Sequence, residues 1–199
     1  MFIAEPGPSA KRQAFYDDDI SDRGYVMNLS RAWAWIPEIN DDLFALLDQA
    51  ARTGDLSFRD KGILITAMAS EMGDSYCTLF WGARLAEATD PETAAAVIVE
   101  QPTDAMTSRD LALASWARKL AAAPSATTPG DVEGLRQAGL SEQQIMAVTA
   151  YVALRIAFST VNDAIGAPPD REGAEAAPPQ VVSAITFGRP VDQSPSTGR

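Results

Sequence analysis

The chain has 199 residues and a mass of 21.2 kDa, enough for one domain with a buried core. Lys and Arg number 16 against 27 Asp and Glu, a net charge of -11, and such a surface repels nucleic-acid phosphates and anionic lipid. With no histidine and one cysteine, histidine triads, relays and metal sites, an internal disulfide and an intramolecular dithiol cycle are all excluded.

Met1 to Ala10 carries Glu5, Pro6 and Pro8 and has no basic start followed by an apolar run, so no targeting segment is expected. No stretch reaches the roughly 18 uninterrupted apolar residues of a membrane span. A cytoplasmic location is the expectation, and the unpaired cysteine agrees with it.

Helix-start signals then recur along the chain. Ser57-Phe58-Arg59-Asp60 and Thr107-Ser108-Arg109-Asp110 set a capping hydroxyl three residues before a carboxylate, and Ser141-Glu142-Gln143-Gln144 is a capping box. Asp90-Pro91 and Thr128-Pro129 place a capping oxygen before a proline at the first helical position. Gly54, Gly139, Gly166 and Pro168-Pro169 mark stops. These signals predict helices over 10–20, 37–53, 58–72, 75–89, 91–100, 108–123, 130–138 and 141–165.

Leu113, Trp116, Ala117 and Leu120 form one helical stripe. Segments 62–72 and 145–161 are apolar on nearly every side and are expected to be central and enclosed. No alternating strand is visible, so the fold class is all-α, and hairpins 58–89 and 108–165 are loosely alike. One helical domain is expected over 1–190, with an N-terminal extension (1–36), a core (37–166) and a C-terminal segment (167–190). The last opens with a proline-rich linker, 167–180. Residues 191–199 have the composition of a disordered tail.

The densest cluster of unusual residues is 71–82. Gly73 breaks one apolar helix, Asp74 or Ser75 caps the next, and Cys77 falls in its first turn. There the helix dipole favours a thiolate, whereas the charge of Asp74 opposes it. Arg84 lies on the same stripe as Asp74, Cys77 and Trp81 but helps only if it folds back. A reactive thiol and a small buried cysteine capped by Asp74 are both open.

The run from Ile63 to Cys77 resembles the apolar helix, glycine turn and C-x-x-C helix of the carboxymuconolactone decarboxylase and AhpD-like alkylhydroperoxidase superfamily. The turn Leu135 to Ser141, the helix carrying Phe158 to Gly166 and the ending Thr186 to Pro190 resemble that family's second half. The similarity covers roughly 37–190. Cys77 falls on the second cysteine of the motif, while the first is Asp74, the motif's histidines are Tyr76 and Trp81, and the upstream glutamate is Gly62. A dithiol mechanism is therefore excluded. The resemblance implies a cofactor-free, antioxidant peroxidase role through Cys77 alone, restored by an external thiol.

The alternative that the resemblance implies is a cofactor-free decarboxylase-type enzyme on a small carboxylate or lactone, or a non-catalytic member. Decarboxylation needs an acid or base and a cation. Catalytic candidates are thus Cys77, Asp74 and Glu71; substrate-facing candidates are Tyr76, Trp81, Arg84, Arg155 and Asn162. Arg155, a lone charge in an apolar run, reads first as an ion pair with Glu71, Asp74 or Asp163, and Asn162 and Asp163 as packing or capping groups. Trp33, Trp35 and Trp116 read as core or subunit-contact aromatics. The resemblance also implies a homo-oligomer, dimer to hexamer, acting on a small molecule. No metal site is expected: Asp17-Asp18-Asp19 and Asn40-Asp41-Asp42 lack a calcium-loop spacing.

Overall fold

Ser57, Thr107, Thr128 and Ser141 each accept a backbone N–H three residues on, and the side chain there answers the cap's own N–H. These boxes satisfy donors that a helix start leaves open. The computed structural model describes residues 1–193; residues 194–199, most of the expected tail, lie outside the described residues. Among the described residues there are eleven α-helices, one 3-10 turn and no strand. The first half comprises α1 (Ala10–Arg23), α2 (Asn28–Trp33), α3 (Pro37–Thr53), α4 (Phe58–Met72) and α5 (Ser75–Ala88). The second comprises α6 (Pro91–Ile98), α7 (Ser108–Ala122), α8 (Pro129–Gln137), α9 (Glu142–Ala164), α10 (Arg171–Ala176) and α11 (Pro179–Ala184). The all-α expectation holds.

Helix α4 is the centre, packed against α5, α6, α7 and α9, with Ile63, Leu64, Ile65, Ala67, Met68 and Ala69 wholly buried. Gly62 allows the approach of α5: a Cβ there meets the Leu85 side chain at 3.1 Å. Space at the position that the resemblance gives to a relay glutamate is thus taken by helix packing. The starts of α4 and α7 hold each other reciprocally. Arg59 pairs with Asp110 at 2.7 Å and Arg109 with Asp60 at 2.9 Å, so the two look-alike capping motifs meet face to face.

Two expectations need correction. Segment 145–161 is not enclosed all round, because α9 leaves Met146, Ala153, Ala157 and Val161 open while burying Val148, Tyr151, Val152, Arg155 and Ser159. By length and mean hydropathy (1.4) α9 is apolar enough to cross a membrane, but here it packs against α3, α4, α7 and α8 as a core helix. The stretch read as a linker also contains α10 and the start of α11. Its Asp170 is buried and accepts the Asn28 N–H at 2.7 Å.

Candidate functional site

Gly73, at φ 75°, caps α4 in the left-handed region that glycine tolerates best. The chain then reverses, and Asp74 becomes the N-cap of α5, its Oδ1 accepting the Cys77 N–H at 2.9 Å. Ser159 of α9 donates its hydroxyl to Asp74 Oδ2. Asp74, Cys77 and Ser159 are all buried. Helix α9 therefore lays a polar stripe, Arg155, Ser159 and Asn162, at helical spacing along the start of α5.

Burial pushes the Cys77 thiol well above its ordinary pKa, and the charge of Asp74 and a hydrogen bond to it push the same way. Arg155 and Ser159 pull downward without prevailing. Of the two opposing influences read from the sequence, the carboxylate together with burial overrides the helix dipole, and the resting sulfur is a thiol. The site is a thiol–carboxylate pair with a hydroxyl as third member.

Arg155 departs from its expected ion pair. It is buried, and among the described residues no carboxylate lies within ion-pair distance. Its guanidinium sits 5.2 Å from the Trp81 ring, 5.4 Å from Phe44 and 5.5 Å from Tyr151. Tyr151 Oη is 3.4 Å from Nη2, and Nε has no acceptor. Two turns on, Asn162 accepts the Trp33 indole N–H at 2.8 Å, while its own Nδ2 is buried without an acceptor. Buried unmatched donors are costly, and here two lie on one stripe of α9, with Ser159 between them.

The remaining candidates do not gather there. Glu71 is exposed and turns to α7, where it pairs with Arg118 at 3.4 Å; it is not among the groups acting on the thiol. Tyr76 and Arg84 line a cleft beside α1 and α10 that Cys77 does not line, although Arg84 lies 6.0 Å from the Trp81 ring that Arg155 also faces. In that cleft the buried Tyr76 hydroxyl donates to Asp170. Asp170 has a pKa raised to about 6, by burial that outweighs its hydrogen bonds from Tyr76 and the Asn28 N–H. Asp163, one residue beyond Asn162, is likewise raised to about 6, by burial and then by the charge of Asp74.

Sequence reasoning missed three groups. Ser159 had a legible signal, since it lies four residues after Arg155 and three before Asn162 on one apolar helix. Asp170 and Phe44 had none, because only tertiary packing brings them to the two sites. Among the described residues no group of three or more Cys, Asp or Glu side chains is placed to hold a metal ion.

No family model matches the chain, and no curated protein matches it. Solved structures do. An alkylhydroperoxidase AhpD core, an uncharacterized peroxidase-related protein from Ralstonia eutropha JMP134, superposes with a TM-score of 0.74 at 22% identity, covering 87% of this chain and 95% of its own. A peroxidase-related protein from Silicibacter sp. TM1040 gives 0.73 at 20% identity, covering 86% and 92%. The debrominase Bmp8 gives 0.70 at 12% identity, covering 88% and 92%, and a cysteine-to-alanine variant of it is known in complex with 2,3,4-tribromopyrrole. Helix order, the central apolar helix and these superpositions together give the chain the all-helical AhpD-like fold.

Proposed function

We propose that this protein is a thiol-dependent oxidoreductase of small molecules in which Cys77 attacks the substrate, hydroperoxide reduction being the reaction the site supports best. The convergence of Cys77, Asp74, Ser159 and Arg155 at the start of α5 carries this reading. Similarity to two peroxidase-related proteins and to a debrominase supports it.

Asp74 takes the proton as Cys77 Sγ bonds to the outer peroxide oxygen and the O–O bond breaks. The leaving alkoxide faces the Arg155 cation and recovers that proton, which yields an alcohol and a sulfenic acid. Two equivalents of an external thiol then return the sulfenic acid to the thiol, releasing a disulfide and water. Because the resting thiol titrates high, turnover rises with pH through the alkaline range. Cys77→Ser abolishes hydroperoxide consumption in the presence of an external thiol, and sulfenic-acid trapping labels the wild type only. Full turnover in Cys77→Ser overturns this reading.

A second reading rests on the buried Arg155 cation without a carboxylate. On it, Asp74 is the acid–base group for a small carboxylate bound at Arg155, as in cofactor-free decarboxylation, and Cys77→Ser leaves turnover intact while Asp74→Asn does not. With either reading we propose a homo-oligomer. The open face of α9 repeats apolar residues at Met146, Ala153, Ala157 and Val161, a spacing of seven, four and four that suits a second copy of the same helix. Ala157→Glu is expected to lower the mass measured by light scattering to that of one chain.

A further inference from the structure

The half-open cleft beside Tyr76 has a volume of about 1050 Å³, at the upper end of small-molecule sites. It lies between α1, α5 and α10, and Cys77 is not among the residues that line it. The chain carries a net charge of -11, and carboxylates outnumber cations throughout. Among the described residues, two arginines in this cleft nevertheless have no carboxylate within ion-pair distance: Arg23 at the end of α1 and Arg84 on α5.

Both guanidinium groups stack on one ring. Arg84 lies 3.7 Å and Arg23 4.6 Å from the centre of Phe80. Stacking fixes a guanidinium by its face and leaves its N–H edge for a planar anion. Arg84 gives one N–H to the Phe80 carbonyl at 3.3 Å and keeps the others. Partial burial and then the charge of Arg23 push the Arg84 pKa down, so two like charges repel each other in a place only partly reached by water. An anion reached by the N–H edges of both relieves that repulsion.

We propose that this cleft binds a small organic monoanion, a carboxylate on an apolar body, with the carboxylate held by Arg23 and Arg84. Ile20, Leu79 and Ala83 line the same cleft and receive the apolar body. Glu5, Asp22, Glu87, Asp170, Glu172 and Asp192 also line it. Their charge disfavours a dianion such as sulfate, which selects a singly charged ligand. The site does not depend on chemistry at Cys77, and its occupancy is read by binding alone.

Calorimetric titration of the full chain with octanoate, with benzoate and with sulfate at neutral pH tests the assignment. Saturable binding of a carboxylate is expected, weakened about tenfold or more by Arg84→Gln and by Arg23→Gln, one change on each of two helices. Sulfate is expected to give no saturable heat, and Cys77→Ser to bind as the wild type does. Circular dichroism confirms that each variant folds. Absence of carboxylate binding in the wild type overturns the proposal. So does binding unchanged in both arginine variants, or sulfate binding as tightly as the carboxylates.

Discussion

Two of the places where this molecule buries charge treat it differently. Where α4 and α7 begin, Asp60 and Asp110 each accept from the N–H and hydroxyl of their own cap and from an arginine of the other helix. Burial raises the pKa of Asp110, but the Arg59 hydrogen bonds and those from Thr107 more than offset it and hold the carboxyl below its usual range. Where α5 begins beside α9, Asp74 accepts the Cys77 N–H and the Ser159 hydroxyl but no guanidinium, and Arg155 has rings where a carboxylate would stand. Partners in the first region are complete, which suits a clamp. The second leaves a cation and an amide N–H unmatched among the described residues, and a site that must stabilise charge arriving with a substrate needs such groups.

The contrast breaks if the two regions respond alike to mutation. The largest effect is expected at Asp74. Asp74→Asn keeps a capping oxygen but loses the proton acceptor, and it is expected to lower hydroperoxide turnover by about 10²–10⁴-fold, read in a steady-state assay. In denaturant titrations its stability is expected to fall far less. Asp110→Ala is the converse: about 3–5 kcal/mol of stability lost, with turnover per folded molecule retained. Equal stability losses in both variants would remove the distinction.

Arg155→Met sharpens the comparison further. Replacing an unpaired buried cation by an apolar side chain of similar length is expected to leave stability unchanged or raise it by about 1 kcal/mol, while turnover drops. A loss of several kcal/mol would mean that the ring cage is a structural device after all. A smaller effect belongs to pH. Asp170 titrates at about 6 in the fold against an ordinary value near 3.9, so the native state holds the extra proton between these values. Stability therefore declines as pH rises from about 4 to 6, by roughly 1–3 kcal/mol for this group. Asp163, raised to about 6 as well, adds a decline in the same window, so Asp170→Asn is expected to reduce the slope in thermal melts rather than remove it.

The helical framework was largely legible because its starts are written locally. A hydroxyl three residues before a carboxylate or amide fixes a boundary without any tertiary information, and α4, α7, α8 and α9 fall within a residue or so of their expected limits. Helices α2 and α10 escaped because each has six residues and neither has a side-chain cap hydrogen bond. The site was half legible. Spacing put Asp74 and Cys77 together, since both lie on one turn. It did not say which carboxylate meets Arg155, because that depends on how α3, α5 and α9 pack, and the outcome is none of them. Glu71 was misplaced for the same reason, for helix phase alone does not tell that α7 supplies it with Arg118.

The rate at which Cys77 is oxidised by a hydroperoxide, compared across pH between the wild type and Asp74→Asn, tests the central claim most directly. Removing the carboxylate charge must lower the thiol pKa, since that charge raises it. If Asp74 is the proton acceptor, the variant is slower at neutral pH despite its more acidic thiol. A variant that reacts faster than the wild type would show that Asp74 only suppresses the thiolate, and the thiol–carboxylate pair would not be a catalytic unit.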